Sequence, residues 1–424
     1  MNILLVGNGG REHALGWRLS QSPHCEVLFA TRPNAGLAKI AEPVDLDVTD
    51  ISGLLEFAQK AEIGLTVVGP ELPLIMGIVD IFEAAGLAIW GPNKAAAQLE
   101  GSKSFAKELM TSAGVPTAAW AAFDDASAAK SWVREFGKPV VVKADGLAAG
   151  KGVLLCPEPE DAIAALQEML EGGAFGFAGS RVVVEELLSG EEVSFIALCD
   201  GDTVLPLASS QDHKRIGEGD TGPNTGGMGA YSPAPALPAD REAEIVRTVM
   251  EPVLAELKNR GVSFKGFLYA GLMLTADGPK VLEFNVRLGD PETQPLLMRL
   301  RTDLVDLLVA GTEGRLADVE LDWDPRSAIC VVLASAGYPS SSTKGALIHG
   351  LEAASAAEDT VVFHSGTRLD AGRTIVNGGR VLGVTALGEC ILSARTRVYE
   401  AVDCISWPGL QVRRDIAHRA LSKG

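Results

Sequence analysis

Over about the first hundred residues, short apolar runs alternate with segments whose apolar positions recur every three or four residues. Residues 2–6, 27–30, 65–69 and 87–90 are runs of strand length, each followed by turn formers and then by a helical pattern. That alternation predicts a parallel, doubly wound sheet with helices on both faces. The pattern then changes. A helix from Leu99 to about Ser112 is stopped by Gly114-Val115-Pro116, and a β-hairpin follows, with strands at 139–143 and 153–155. Further strands are expected at 181–184, 193–198, 266–274 and 281–288, with a helix at 241–260 and another at 296–308. The last hundred residues hold short strands at 329–333, 360–364 and 380–386, with a hairpin signal at Asn377-Gly378-Gly379. The expected organisation is an N-terminal Rossmann-like domain (1–102), a central module (103–322) carrying a mobile subdomain at about 117–188, and a small C-terminal α+β domain (323–424).

Composition narrows the class. The 424 residues are 47% hydrophobic, enough for several cores, and the net charge of −18 disfavours non-specific binding to nucleic acid or anionic membrane. Six cysteines, at 25, 156, 199, 330, 390 and 404, form no CxxC pair, so reduced thiols of a cytoplasmic protein are expected. No signal-peptide pattern opens the chain, and no apolar run approaches the ~18 residues of a membrane span.

Chemistry concentrates in 281–294, which reads VLEFNVRLGDPETQ. In an extended strand Glu283, Asn285 and Arg287 share one face, and Leu282, Phe284, Val286 and Leu288 the other. A carboxylate and an amide oxygen two residues apart suit a hard cation, and an arginine beyond them suits a phosphate or carboxylate. The same spacing also fits a half-buried strand with a polar outer face. The hairpin tip, Ala144 to Gly152, is glycine-rich and carries Lys151, while Lys143 sits in its apolar first strand. It lacks the GxxxxGK[ST] spacing, but a mobile hairpin of this kind can fold over a triphosphate. At Gly7-Asn8-Gly9-Gly10-Arg11-Glu12 the third glycine of a dinucleotide fingerprint is replaced by Glu12, so NAD is disfavoured. Residues 209–235 contain QDHKRIGEGDTGPNTGGMGAYSP, with little periodicity and many glycines, the mark of a functional or disordered stretch.

Taken together, KADGLAAGKGV, EELLSGEE and LEFNVRLGDPETQ resemble the ATP-grasp ligases. DHKRIGEGDTGPNTGGMGAYSP and VGNGGREHAL narrow the resemblance to the phosphoribosylamine–glycine ligase family, over essentially the whole chain. The resemblance implies an ATP-dependent joining of glycine to 5-phosphoribosylamine in purine biosynthesis, through a glycyl phosphate, with ADP and phosphate as products. It implies phosphate contacts from Lys103 and Lys143, covered by a loop containing Gly150, Lys151 and Gly152. Glu185, Glu186 and Leu188 are implied at adenine, and Glu192 at the ribose. Glu283 and Asn285 match magnesium or manganese ligands, and Arg287 acts with Lys143 on the transferred phosphate. Gly9, Gly10, Arg11, Asn34, Glu71, Asp212, Lys214, Gly226, Gly227, Met228 and Asp290 are implied around the acceptor. Pro33 replaces a glycine of the family pattern, Leu72 a smaller residue, and Val286 and Leu288 other residues around the metal. A monomer acting on small molecules is expected. The alternatives are another ATP-grasp carboxylate–amine ligase or carboxylase, a nucleotide-binding module without catalysis, or a dehydrogenase built on the first domain.

Overall fold

The computed structural model describes every residue except 149–151, 173–175 and 423–424, together with all side chains of the described residues but that of Phe177. Five parallel strands form the N-terminal sheet, in the order Glu42–Val44, Val27–Thr31, Asn2–Val6, Ile63–Val68, Ile89–Trp90. The winding reverses between Asn2–Val6 and Ile63–Val68, and ligands on such sheets bind in the crevice beyond the carboxyl ends at that point. Gly7 and Gly69 lie there.

Glu12 explains both glycines. Its buried carboxylate accepts from the Gly9 N–H at 2.6 Å and from Arg11 Nε at 2.8 Å. A Cβ at Gly69 or at Gly7, which has φ +116°, would overlap the Glu12 side chain. The carboxylate therefore fills the helix N-terminus where a dinucleotide's pyrophosphate would have to sit, and the helix Gly10–Leu19 still packs closely on its sheet.

Two antiparallel four-stranded sheets make the central module. One has the order Val204–Pro206, Glu191–Asp200, Lys265–Thr275, Gly278–Asn285. The other runs Trp120–Phe123, Val182–Glu186, Val140–Ala144, Val153–Cys156, the last two being the expected hairpin. This second sheet and the helices Ala126–Phe136 and Pro159–Leu166 enclose a small core of their own, including Val133, Val142, Leu166 and Val184.

Two expected helices are interrupted. The stretch 296–308 is two helices, Thr293–Arg299 and Leu304–Thr312, because Asp303 caps the second by accepting from the Val305 and Asp306 N–H groups. Residues 241–260 fall in Ala239–Ile245 and Glu251–Asn259, joined by a π-helical turn at Val246–Met250.

The C-terminal sheet departs most from expectation. Its order is Gln211–Asp212, Gly229–Ser232, Ser327–Ala334, Arg380–Gly388, Thr360–His364, antiparallel throughout. Two of its strands thus come from the stretch 209–235, and residues 323–424 do not build it alone. The same stretch also forms a hairpin, Arg215–Gly217 against Thr221–Asn224. Strands of two to four residues are too short to display alternation.

A buried polar seam joins this sheet to the first domain. His13 Nδ1 accepts from the His364 N–H at 2.7 Å, and Asn34 Nδ2 donates to the His364 carbonyl at 2.8 Å. Among the described residues, no helix is long and apolar enough to cross a membrane.

Candidate active site

A cavity of about 600 Å³ opens where the N-terminal crevice, both central sheets and the C-terminal sheet converge. Glu283, Asn285 and Arg287 all line it, but the strand ends at Asn285, Arg287 lies in the bend beyond, and Leu282 and Phe284, expected on the opposite face, line it too. Burial acts to raise the Glu283 pKa, but Lys214, Lys143, Lys103 and Arg287 outweigh it and hold the carboxylate below its ordinary value. The Arg287 guanidinium is fixed by two carboxylates, Glu100 at 2.7 Å and Glu71 at 3.4 Å. Glu100 also accepts from the Val286 N–H at 2.8 Å, so it holds both the arginine and its strand. Sequence reasoning missed Glu100, which sits in an ordinary-looking helix start.

On the nucleotide side the cavity gathers Lys103, Lys143, Gly152, Glu185, Glu186, Leu188 and Glu192; Gly150 and Lys151 lie outside the described residues. Lys103 Nζ donates to the Gly146 carbonyl at 3.2 Å, at the foot of the hairpin tip. Burial lowers its pKa. The Glu185 carboxylate is taken up by two lysines, which leaves to its backbone the adenine contact expected of this connector. It is 2% exposed, with Lys107 Nζ at 2.7 Å from one oxygen and Lys143 Nζ at 2.9 Å from the other. Lys107 was missed too, because its spacing on the helix Lys103–Ala113 reads as surface charge. The N–H groups of Glu186 and Leu187 are taken by the carbonyls of Ala119 and Pro139. Glu192 pairs with Lys214 at 2.9 Å, and that ammonium is the main cause of the lowered Glu192 pKa.

The far end of the cavity holds Arg11, Glu71, Asp212, Lys214, Gly226 and Asp290. Burial pushes Asp212 up to about 7, with Lys214 opposing and Glu292 and Glu192 adding to the rise. Glu292, unpredicted, accepts from Tyr269 Oη at 2.7 Å and Ser194 Oγ at 3.1 Å. Arg380 reaches in from the C-terminal sheet: it donates to the carbonyls of Gly226 and Asp290 and, at 3.1 Å, to the Asp290 carboxylate. Nothing in the sequence around Arg380 announced this, since its partners lie 90 and 154 residues away.

Five expected acceptor residues do not line the cavity. Gly9 and Gly10 lie behind it, and a Cβ on Gly10 would press on Gln294 and Asp290. Gly227 packs on Pro291. The Met228 side chain is fully buried in the C-terminal core. Asn34 is consumed structurally: its Oδ1 caps the N–H groups of Gly36 and Leu37, and its Nδ2 ties the domains together.

The whole chain finds matches among known proteins. Residues 1–100 match the phosphoribosylglycinamide synthetase N domain, 101–293 its ATP-grasp (A) domain, and 328–419 its C domain. The chain belongs to the phosphoribosylglycinamide synthetase family. It is 54% identical over 428 residues to a phosphoribosylamine–glycine ligase of Yersinia pestis, covering all of both chains. It is 55% identical to that of Allochromatium vinosum, covering 100% of this chain and 99% of the relative. The crystal structure of the Thermotoga maritima phosphoribosylamine–glycine ligase superposes with a TM-score of 0.84 at 32% identity, covering 98% of this chain and all of the other. A biotin carboxylase from Campylobacter jejuni, at 16% identity and TM-score 0.76 over 100% and 95% of the two chains, shares the fold.

In this synthetase-family member the donor set of Glu283 and Asn285 fits a hard divalent cation. Both side chains offer oxygen, both line the cavity, and the surrounding lysines keep Glu283 ionised. A second group, His213, Asp220 and His418, has its candidate ligand atoms within 4.8 Å of one another. It suits a cation poorly, because Arg413 and Arg419 already pair with the two Asp220 oxygens at 3.0 and 2.8 Å. Asp220 instead fastens the 215–224 hairpin to the C-terminal segment.

Proposed function

We propose that the chain joins glycine to 5-phosphoribosylamine at the expense of ATP, and that the cavity described above is where it does so. The observation that carries this reading is the meeting, in one cavity, of Lys103 and Lys143 with the Glu283–Asn285 pair and, beyond them, Arg11, Glu71 and Asp290 from two other parts of the chain. Full-length likeness to phosphoribosylamine–glycine ligases supports it.

A carboxylate resists attack by an amine because its oxygen is a poor leaving group. A glycine carboxylate oxygen therefore attacks the terminal phosphorus of ATP, the bond to ADP breaks, and glycyl phosphate forms. The amine nitrogen of phosphoribosylamine then attacks the glycyl carbon, the carbon–oxygen bond to phosphate breaks, and the nitrogen gives up a proton. In this scheme Lys103 and Lys143 neutralise the phosphates, and Arg287, fixed by Glu100 and Glu71, meets the transferred group. Asp212, with its raised pKa, takes the amine proton. Magnesium or manganese held by Glu283 and Asn285 supplies further charge neutralisation at phosphate oxygens when bound.

ADP release measured with each of glycine, phosphoribosylamine and ATP omitted in turn tests the reading. Sustained release that needs all three is expected, since without phosphoribosylamine the glycyl phosphate is not consumed. Release driven by bicarbonate, as a carboxylase would show, rejects it. In Glu283→Ala, glycine-dependent ADP release is expected to fall about 10³-fold with the fold intact. Near-normal release in that variant removes Glu283 from the metal site.

A further inference from the structure

Lys107, to which the proposed chemistry gives no role, belongs to a closed circuit of polar contacts. Its ammonium, 2% exposed, lies 2.7 Å from Glu185 Oε2 and donates to Thr117 Oγ1 at 2.7 Å. Thr117 donates to the Val281 carbonyl at 2.6 Å and bridges that residue as a parallel strand pair. One residue along the same strand, the Leu282 carbonyl accepts from Lys143 Nζ at 3.1 Å, and Lys143 lies 2.9 Å from Glu185 Oε1, closing the ring. The circuit links the helix Lys103–Ala113, the second central sheet and the strand that carries Glu283.

Its charges are unequal. Two ammonium groups share one carboxylate, leaving the ring with one positive charge facing the cavity that all three side chains line. Among the described residues, Glu185 Oε1 has the Lys143 ammonium at 2.9 Å, off the line of a hydrogen bond, and no aligned donor. Without Lys107, Glu185 and Lys143 would form a neutral buried pair, with the whole carboxylate drawing on the one lysine assigned to phosphate. A buried charge left without a partner is costly, so a carboxylate with only Lys143 beside it would hold that lysine more tightly.

We propose that Lys107 is a positioning residue for the nucleotide: by taking up half of the Glu185 carboxylate it leaves Lys143 free to engage the triphosphate. This rests on the assignment of Lys143 to the phosphates, and Lys143→Met tests that assignment separately, through loss of ATP binding in a folded protein.

The test compares Lys107→Met with the double variant Lys107→Met/Glu185→Gln, reading KM for ATP and for glycine. The double variant removes one positive and one negative charge, so its net charge equals that of the native ring. Lys107→Met is expected to raise KM for ATP at least tenfold and to leave KM for glycine within twofold. The double variant is expected to return KM for ATP to within threefold of the native enzyme. A folded Lys107→Met with native KM for ATP overturns the proposal, as does a double variant no better than the single one. Should Lys107→Met fail to fold, the double variant decides alone: within threefold supports the proposal, and a tenfold rise overturns it. A purely structural Lys107 would move the melting temperature without separating the two KM values.

Discussion

Arg287 Nη2 and Glu100 Oε1 lie 2.7 Å apart, with Glu100 almost wholly enclosed and its other oxygen holding the Val286 N–H. Glu100 thereby sets where the guanidinium points. Glu100→Gln keeps the shape but weakens the hold on Arg287. A shift of about 1 Å at a reacting centre costs on the order of 100-fold in rate. The variant is expected to lose turnover by about that factor with KM for ATP little changed, measured by steady-state ADP release. Native turnover would mean that Arg287 is placed by other contacts.

Arg380 reaches the cavity from the C-terminal sheet, gripping Gly226 and Asp290. Charged hydrogen bonds of this kind contribute about 1.5–3 kcal/mol each. Arg380→Ala is expected to raise KM for phosphoribosylamine by roughly 10- to 100-fold, leaving KM for ATP near its native value. An equal rise in both would place Arg380 in general scaffolding.

Asp212, pushed up to about 7 mainly by burial, must be ionised to accept a proton. Turnover is therefore expected to fall as pH drops through about 7 and to level off above it. Asp212→Asn is expected to lose about 10²-fold in kcat and this acid limb with it. A limb that persists in the variant belongs to another group.

The seam between first domain and C-terminal sheet carries its own pH dependence. Burial lowers His13 to about 3, helped by His364, and lowers His364 to about 4. Both folded values lie below the unfolded one, so the neutral rings favour folding fully above about pH 6.5, and that contribution is lost as pH falls towards 4. The unfolded chain binds more protons in this window. Melting temperature is expected to drop from pH 7 to 4.5, and His13→Gln to shallow the slope by about one proton. His213, lowered to about 4 by burial, supplies part of the slope that persists.

The parallel sheet, the hairpin at Lys143 and the strand carrying Glu283 and Asn285 were legible because each follows from a local period of two or 3.6; Arg287 lies past the strand's end, where that period no longer applies. What stayed hidden depended on distant partners. Glu185 reads as a connector acid until Lys107 and Lys143 are seen around it, and Glu12 reads as an obstacle until Gly7 and Gly69 are seen making room. Asn34 and Met228 lie in or beside binding-like motifs, yet their side chains serve the domain seam and the C-terminal core.

The strand Gly229–Ser232 pairs with Ser327–Ala334, which leaves the ribosome roughly a hundred residues later. Until then the earlier strand pairs only with the two residues Gln211–Asp212, and its other edge, beside the cavity wall formed by Asp212 and Gly226, stays open. The acceptor end of the pocket is thus the last part to be assembled during synthesis. A nascent chain halted before residue 327 would hold both nucleotide lysines, Lys103 and Lys143, while lacking the sheet that carries Arg380.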